Sequence, residues 1–208
     1  MKRVIDVVAA TIALVVLAPV IGITALVVKL TLGGPVLFRQ VRAGRGGMPF
    51  TLYKFRTMRP AHSGEQGPEH DAVRLTRVGR LLRSASLDEL PSLLNIVRGE
   101  LSLVGPRPLP LEYVTRYTPE QARRLDVTPG LTGWAVIHGR NRLTWDERFA
   151  LDCWYVDHRS LRLDLVVLLR TLSLVVRRTG VNHAENVTMT EFRGARADEH
   201  RVGDEASP

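Results

Sequence analysis

Two adjacent acidic residues, Asp88 and Glu89, are the strongest candidates for chemistry in this sequence. They precede Pro91 and an apolar run that Gly99 ends, so the pattern predicts both carboxylates at a helix N-terminus. Neighbouring residues on a helix point in different directions, so the two carboxylates can take separate roles. The positive end of the helix dipole and the nearby Arg83 both favour ionised carboxylates. An ionised carboxylate can act as a nucleophile or bind a metal ion.

The sequence allows two positions for the start of the helix around this pair. In the first, the helix begins at Leu90 or Pro91. In the second, Ser86 is the N-cap and Glu89 completes a capping box, with a proline one turn into the helix. The same Asp-Glu pair also fits a purely structural role at a helix N-terminus, which is the commoner role of such pairs.

A set of cations in or beside turns and strand ends favours a chemical role for the acidic pair over a purely structural one. Guanidinium groups bind phosphate oxygens with two parallel hydrogen bonds, and each cation taken singly also fits an ordinary surface charge. Carboxylates, several cations and a divalent metal ion together are typical of phosphoryl transfer, where positioning and charge neutralisation supply most of the catalysis. The cations are Lys54, Arg56, Arg83, Arg107 and Arg140.

Several segments are expected to position these side chains. Alternating apolar and polar residues in 36–42 and 50–58, separated by a glycine-rich stretch, predict a β-hairpin. Residues 74–84 predict one basic amphipathic helix, which fits either an anionic membrane surface or a solvated face over a core. The remaining expectations are a rigid turn at 105–108, a short strand at 134–137 and a helix over Leu161–Val176.

The N-terminal segment indicates a membrane protein. No charged residue occurs from Val7 to Val28, and a straight helix of that length would measure about 33 Å, enough to cross a bilayer core. Pro19 is expected to break the helix near Ala18. Basic residues flank both ends, and cations favour the cytoplasmic side, so a re-entrant hairpin is favoured over a straight span. A cleaved signal peptide fits poorly, because the apolar run is too long.

Composition restricts the partners. The chain has 208 residues, with 29 Lys and Arg against 21 Asp and Glu, and a formal net charge of +8. This charge predicts an anionic partner: membrane lipids, a phosphorylated substrate or nucleic acid. Nucleic acid is the least supported of the three, because aromatic residues make up only 6% and no nucleic-acid-binding motif occurs. The single cysteine, Cys153, excludes an internal disulfide framework and agrees with a reducing cytoplasm.

Six motifs occur in the order and spacing of one protein family. The chain resembles the monotopic phosphoglycosyl transferases, bacterial sugar transferases that begin glycan assembly on a polyprenol phosphate. The match extends from Lys2 to about Gly194. The motifs are Lys2-Arg3-x-x-Asp6, Tyr53-Lys54-Phe55-Arg56-Thr57-Met58, Arg83-Ser84-Ala85-Ser86-Leu87-Asp88-Glu89-Leu90-Pro91, Leu101-Ser102-Leu103-Val104-Gly105-Pro106-Arg107-Pro108, Pro129-Gly130-Leu131-Thr132-Gly133-Trp134-Ala135 and Gly139-Arg140-Asn141.

The resemblance implies an activity and roles for the residues. A sugar 1-phosphate would pass from a UDP-sugar to undecaprenyl phosphate with release of UMP, through a covalent intermediate on Asp88. Glu89 would hold Mg²⁺. Further phosphate and nucleotide contacts carry over to Lys54, Arg83, Arg107, Arg140 and Asn141. The chain departs from the family pattern at Ala18, where serine is common, and at Val136, where glutamine is common.

The expected organisation follows from these observations. Residues 1–32 are a re-entrant anchor, residues 33–194 an α+β catalytic domain that is predominantly helical, and residues 195–208 a disordered tail. Starting at Met1, the chain resembles the family's small form. The expected location is the bacterial inner membrane with the catalytic domain facing the cytoplasm, and the sequence leaves a homo-oligomer open. The competing hypotheses are a non-catalytic, membrane-anchored basic scaffold and a tethered nucleic-acid binder.

Overall fold

The computed structural model describes residues 1–61, 70–139, 142–176 and 191–194 of the 208-residue chain. Within these ranges the protein is mostly helical with two small two-stranded sheets, in agreement with the predicted α+β class. The predicted tail, residues 195–208, lies outside the described residues. The division into an anchor of residues 1–32 and a catalytic domain of residues 33–194 stays a prediction.

Two helices, α1 (Lys2–Val16) and α2 (Ala18–Leu32), form the N-terminal part of the chain. They meet at Leu17 with a bend of 64°, next to Pro19 in the first turn of α2. The sequence predicted the break at this place. No single helix in the described ranges is long and apolar enough to cross a membrane. By length and composition, α1 and α2 pass that test together as a bent pair.

The predicted β-hairpin is present. Strands β1 (Leu37–Ala43) and β2 (Pro49–Phe55) pair antiparallel, with Leu37 opposite Phe55 and Ala43 opposite Pro49. The alternation along β2 buries Phe50 and Leu52 on one face, and Phe55 is buried on the opposite face in a separate cluster with Val28 and Leu82. Lys54 follows Leu52 on the first of these faces, so the hairpin that carries this cation is fixed by core contacts on both sides.

The single basic helix predicted over residues 74–84 is wrong. The chain forms two helices, α3 (Asp71–Arg74) and α4 (Arg77–Ser84), separated by an extended Leu75 and Thr76. Thr76 is the N-cap of α4, and its hydroxyl accepts a hydrogen bond from the backbone N–H of Gly79 at 2.9 Å. A threonine N-cap requires a non-helical backbone, which explains the interruption.

The acidic pair lies in a 3₁₀ helix, Leu87–Ser92, that leads directly into α5 (Leu93–Arg98). The second predicted register is observed in its position, because the helix begins at Leu87 with Ser86 at the N-cap and Pro91 inside it. The predicted capping box is not formed: Ser86 has a left-handed backbone with φ of 55°, and its side chain makes no capping hydrogen bond. Pro91 falls within the 3₁₀ segment, and Gly99 ends α5 with a positive φ of 95°, as a C-terminal glycine commonly does.

The turn that carries Arg107 follows a short parallel pair of strands, β3 (Ser102–Val104) and β4 (Gly130–Thr132). Helix α6 (Pro119–Ala122) lies between these strands in sequence. The strand predicted at residues 134–137 is wrong, because the chain forms helix α7 (Trp134–His138) there. A run of four apolar residues is too short to reveal its period, so a helix turn and a strand look alike in the sequence.

Helices α8 (Trp145–His158) and α9 (Leu161–Val176) complete the described fold, and α9 was predicted with these limits. A buried polar network joins α9 to the N-terminus. Lys2 Nζ donates to Asp164 Oδ2 at 2.6 Å, and Tyr155 donates its hydroxyl to Asp164 Oδ1 at 2.6 Å. Helix α1 also packs Ala10 into the core with Leu93 and Ile96. The N-terminal helix is therefore part of the domain's packing.

Candidate active site

Asp88 and Glu89 lie in the first turn of the 3₁₀ helix, which packs against β2. Asp88 is 8% exposed, and the Glu89 side chain is 21% exposed. Both carboxylates are therefore largely removed from water and depend on neighbouring charges.

Glu89 is held by two cations from different parts of the chain. Its Oε1 atom accepts a hydrogen bond from Lys54 Nζ at 2.6 Å and another from Arg107 Nη2 at 2.9 Å. Lys54 comes from β2, and Arg107 comes from the turn after β3. Three segments far apart in sequence therefore meet at one carboxylate, as the sequence predicted for three of its site residues.

The two carboxylates differ in their ionisation. Burial opposes ionisation of Glu89, but the charges and hydrogen bonds of Lys54 and Arg107 outweigh it and place its pKa well below the usual range. Burial raises the pKa of Asp88, and the negative charge of Glu89 raises it further. Lys54, Arg83 and Arg107 oppose this rise without reversing it. Arg83 therefore acts on Asp88 in the predicted direction, but the net pKa of Asp88 is raised, because burial and the charge of Glu89 outweigh the cations.

Burial also affects the cations. It lowers the pKa of Lys54, although Glu89 partly compensates, and it lowers the pKa of Arg83. Arg83 donates from Nε to the Thr57 hydroxyl at 3.0 Å, and Asp88 is the largest of the charges that favour its protonated form. Arg83 therefore lies in the electrostatic field of Asp88 while its direct hydrogen bond goes to the end of the hairpin.

The structure does not bring the Arg56 guanidinium to the two carboxylates. Its Nη1 donates to the Gly34 carbonyl at 3.0 Å and its Nη2 to the Gly33 carbonyl at 2.8 Å, and Nη2 also contacts the carbonyl of Leu32. Arg56 thus binds the C-terminal end of α2, where orphan carbonyls need donors. The predicted nucleotide contacts Arg140 and Asn141 lie outside the described residues.

Close backbone packing fixes the turn that presents Arg107. A Cβ atom added at Gly130 would lie 2.1 Å from the Gly105 nitrogen, and one added at Gly133 would lie 2.2 Å from the Gly105 carbonyl oxygen. Only glycine allows the two segments to approach this closely. Gly130 N–H also donates to the Pro106 carbonyl at 2.9 Å. The arginine therefore extends from a rigid backbone.

Asp88 and Glu89 are the residues that could hold a divalent cation. Glu89 Oε1 is taken by Lys54 and Arg107, whereas its Oε2 accepts no hydrogen bond from the described residues. The described residues contain no group of three His, Cys, Asp or Glu side chains suited to a metal ion. Mg²⁺ commonly binds through one or two carboxylates together with substrate phosphates. The donor set thus fits Mg²⁺ only when a phosphate ligand completes it.

Sequence reasoning missed a second set of charged residues around the Arg107 turn. Arg124 donates from Nη2 to the Arg107 carbonyl at 2.7 Å and to Asp152 Oδ2 at 2.8 Å. Arg42 of β1 donates from Nη1 to the Pro108 carbonyl at 3.4 Å. No local signal marks the pairing of Arg124 with Asp152. For Arg42, the alternation of apolar and polar residues along β1 points the wrong way. It predicts a buried Val41 and an exposed Arg42, but Val41 is 51% exposed and Arg42 is half-buried.

Comparison with known proteins shows the family. Residues 1–178 match the family model described as bacterial sugar transferase. The chain belongs to the bacterial sugar transferase family. This sugar transferase is therefore an enzyme, and the hypotheses of a non-catalytic scaffold and a nucleic-acid binder find no support in the comparison.

Three relatives show how far the similarity extends. An uncharacterized sugar transferase of Bacillus subtilis, EpsL, is 49% identical over 195 residues, which is 94% of this chain and 96% of the relative. The UDP-glucose:undecaprenyl-phosphate glucose-1-phosphate transferase of Caulobacter vibrioides is 46% identical over 184 residues, 82% of this chain and 68% of the relative.

The third relative is the UDP-N-acetylgalactosamine-undecaprenyl-phosphate N-acetylgalactosaminephosphotransferase of Aeromonas hydrophila. It is 36% identical over 187 residues, which is 86% of this chain but 44% of the relative. The two relatives named for an activity share undecaprenyl phosphate as acceptor and differ in the sugar.

Proposed function

We propose that this sugar transferase moves a sugar 1-phosphate from a UDP-sugar to undecaprenyl phosphate and releases UMP, the first membrane step in assembling a glycan. One observation carries the proposal: Asp88, a buried carboxylate beside Lys54, Arg83 and Arg107, accepts no hydrogen bond from the described residues. Its lone pairs are therefore available to a phosphorus atom. The names of two relatives, which specify undecaprenyl-phosphate transferases, support the acceptor.

The reaction proceeds in two displacements at one phosphorus atom. In the first, an Asp88 oxygen bonds to the β-phosphorus, the bond from that phosphorus to the bridging oxygen breaks, and the electron pair leaves with UMP. In the second, an oxygen of undecaprenyl phosphate bonds to the same phosphorus and the acyl phosphate bond breaks. Asp88 is then a carboxylate again, and the sugar diphosphate is attached to the lipid.

The cations perform the electrostatic part of this chemistry. Lys54, Arg83 and Arg107 already oppose the raised pKa of Asp88, so the same charges offset the negative charge of an incoming phosphate. Glu89 holds Lys54 and Arg107 in place through its Oε1 atom. Mg²⁺, bound through Glu89 and the substrate phosphates, would supply additional charge neutralisation. Arg140 and Asn141 remain proposed contacts for the nucleotide.

The proposed location is the inner membrane, with the catalytic domain on the cytoplasmic face. The 64° bend between α1 and α2 and the exposed apolar side chains along both helices support a re-entrant hairpin. A tag placed before Met1 and a tag inserted at the hairpin turn near Gly46 should both be protected from protease in intact cells. Cleavage of only one tag from outside would contradict the re-entrant path.

The covalent intermediate provides the direct test of the mechanism. Purified protein is mixed with a panel of UDP-sugars and Mg²⁺ without lipid acceptor, then quenched and measured by intact mass. The mass should increase by one phosphorylated monosaccharide, and undecaprenyl phosphate should remove the added mass. Asp88→Asn should never gain it, whereas Asp126→Asn, at an exposed position, should gain it as the wild type does. Full UMP turnover by Asp88→Asn would contradict the mechanism.

A further inference from the structure

Two side chains bind the edge of β2 that faces away from β1. Among the described strands, β2 pairs only with β1. On its other edge, the Ser92 hydroxyl donates to the Tyr53 carbonyl at 2.7 Å. The Asn95 carboxamide accepts from the Tyr53 N–H through Oδ1 at 3.2 Å and donates to the Thr51 carbonyl through Nδ2 at 2.7 Å. Ser92 and Asn95 are both 0% exposed, so they supply the partners that these strand-edge groups need.

The Asn95 carboxamide is held in one orientation. Its Nδ2 atom donates to Glu100 Oε2 at 2.7 Å as well as to Thr51, so both of its N–H groups face acceptors. Its Oδ1 atom faces the N–H donor of Tyr53. A reversed carboxamide would place an oxygen against two acceptors and an N–H against a donor. The contact between Asn95 and β2 therefore fits a single register of the two segments.

The same row of side chains carries the Glu89 carboxylate. Ser92 follows Glu89 by three residues, which is one turn of the 3₁₀ helix, and Asn95 follows by about one more turn in α5. The three side chains therefore all face β2. Glu89 accepts from Lys54 Nζ at 2.6 Å, and Lys54 is the next residue in β2 after Tyr53. A shift of the helix along β2 would break these contacts together.

We propose that Ser92 and Asn95 are positioning residues for the sugar-phosphate transfer, because they hold the helix of the acidic pair in the register that brings Glu89 to Lys54. This inference rests on the proposed function, in which Lys54 offsets the negative charge of the phosphate that Asp88 attacks. Ser92 and Asn95 bind β2 and Glu100, so they act on the reaction through Lys54 and Glu89. A misplacement of about 1 Å at a reacting centre can reduce a rate by about 10²-fold.

Acylation of Lys54 measures this register without any substrate. Burial lowers the pKa of Lys54, and the Glu89 carboxylate raises it. Loss of the contact with Glu89 therefore leaves more of the neutral amine, which is the form that reacts. Full-length protein in detergent is treated with an N-hydroxysuccinimide ester of acetate. Peptide masses then give the rate at Lys54 relative to Lys2 and Lys29, the other lysines of the sequence.

The variants remove one partner of β2 at a time. Ser92→Ala and Asn95→Ala should each be acylated about 10-fold faster at Lys54, as expected for loss of a hydrogen bond between charged groups. Thr171→Val is the matched control. It removes a part-buried hydroxyl that contacts the Thr132 hydroxyl and the Val167 carbonyl, both at 2.8 Å, from α9. Thr171→Val should keep the wild-type acylation rate, and melting curves show which variants are folded.

Single-turnover UMP release tests whether the register matters to the reaction. Ser92→Ala and Asn95→Ala should each lower the rate about 10- to 100-fold, whereas Thr171→Val should keep it. Ser92→Ala is also combined with Lys54→Met. Because that background already lacks the contact with Glu89, Ser92→Ala should lower the remaining rate by less than about 2-fold. A purely structural role would give the same factor in both backgrounds.

The outcomes separate this inference from the proposed function. An unchanged Lys54 acylation rate in folded Ser92→Ala, an equal rise in Thr171→Val, or faster acylation with wild-type UMP release overturns the positioning role. An equal effect of Ser92→Ala in wild type and in Lys54→Met also overturns it. If Asn95→Ala does not fold, Ser92→Ala decides alone. If acylation rises as expected but wild type releases no UMP from any UDP-sugar, the register stands and the transferase proposal fails.

Discussion

Asp88 and Asp152 are both buried carboxylates close to arginines, and burial raises the pKa of each. Their direct contacts differ. Asp152 Oδ2 accepts hydrogen bonds from Arg124 Nε at 3.2 Å and Nη2 at 2.8 Å, and both side chains of this pair are only 2% exposed. Asp88 accepts no hydrogen bond from the described residues, and its nearest cations donate to Glu89 or to Thr57 instead.

In the proposed mechanism, this difference separates a structural carboxylate from the nucleophile. A buried carboxylate in a direct pair with an arginine has its lone pairs occupied and contributes to a fixed arrangement. A buried carboxylate without such bonds carries a desolvation cost of roughly 1–3 kcal/mol, which the rest of the fold offsets. Asp88 is of this second kind. Lys54 and Arg107 donate to Glu89 and Arg83 donates to Thr57, so these charges lie near Asp88 while its oxygens stay free of direct bonds, as the proposed nucleophile requires.

Replacement of each aspartate by asparagine should have opposite consequences. Asp88→Asn should lower UMP release by about 10⁴-fold or more, because a neutral amide cannot form the acyl phosphate. Asp152→Asn should lower the free energy of unfolding by about 3–5 kcal/mol, because it leaves the buried Arg124 charge unpaired. Turnover assays and thermal unfolding of both variants measure the two effects.

Stability provides the control for this comparison. Asp88→Asn removes a buried carboxylate that has no direct bond to lose, so its melting temperature should equal or exceed that of wild type. A fall in stability for Asp88→Asn as large as that for Asp152→Asn would show that Asp88 is a structural residue. It would also remove the reason for placing the nucleophile there.

Loss of a cation from the candidate active site and loss of an exposed arginine elsewhere should also have different effects on activity. Arg107→Ala should reduce UMP release by about 10²- to 10³-fold, as expected when one charged donor to a reacting phosphate is lost, with little change in stability because Lys54 still pairs with Glu89. Arg98→Ala removes an exposed arginine that lies over the Tyr53 ring and should leave activity unchanged. Equal activity of Arg107→Ala and Arg98→Ala would contradict a role for Arg107 in binding phosphate.

The pH dependence of the first displacement should report the raised pKa of Asp88. Only the ionised carboxylate attacks phosphorus, so single-turnover UMP release should fall as pH decreases through a pKa above the ordinary value of about 4. Glu89→Gln removes a neighbouring negative charge that raises this pKa. The acid limb of the normalised profile should therefore move to lower pH in Glu89→Gln.

Single-turnover measurements without lipid acceptor keep the second displacement out of this profile. Glu89→Asp retains the negative charge and should keep the acid limb near its wild-type position, even if its rate is lower. An acid limb that moves to higher pH in Glu89→Gln would show that Glu89 favours ionisation of Asp88, contrary to the electrostatics of the site.

The sequence predicted the elements with a clear local signature and missed those that depend on distant contacts. Alternation in the hairpin and the long apolar pattern of α9 were sufficient, since each contains several repeats of its period. Residues 134–137 span less than two helical turns, so their apolar pattern predicts a strand where the structure has a helix. The interruption at Thr76 is a capping signal that lay inside a longer amphipathic pattern.

The candidate site was predicted by residue type and spacing, but its electrostatics were not. The sequence correctly expected Lys54, Glu89 and Arg107 to come together, because all three lie near turns and strand ends. It could not show that Asp88 is buried, since burial comes from the packing of the 3₁₀ helix against β2. It also could not show that Arg56 binds the carbonyls at the end of α2.

The smallest predicted effect concerns the outer contact of the Asp152–Arg124 pair. Arg124 Nη1 donates to the Tyr117 hydroxyl at 3.1 Å, and the Arg124 side chain is almost fully buried. Tyr117→Phe keeps the ring contact with Phe149 but removes this acceptor. The free energy of unfolding should decrease by about 1–2 kcal/mol, because a buried charged donor is left unsatisfied, while UMP release stays near the wild-type rate.

Tyr53→Phe makes the same chemical change in a different environment. The Tyr53 hydroxyl also accepts a hydrogen bond from an arginine at 3.1 Å, but its partner, Arg98, is exposed. Water replaces the lost acceptor there, so the expected loss is below about 0.5 kcal/mol. Chemical denaturation of the two variants at one pH measures the difference. Equal losses would mean that burial does not set the strength of these contacts, and the contrast between Asp152 and Asp88 would then lose its physical basis.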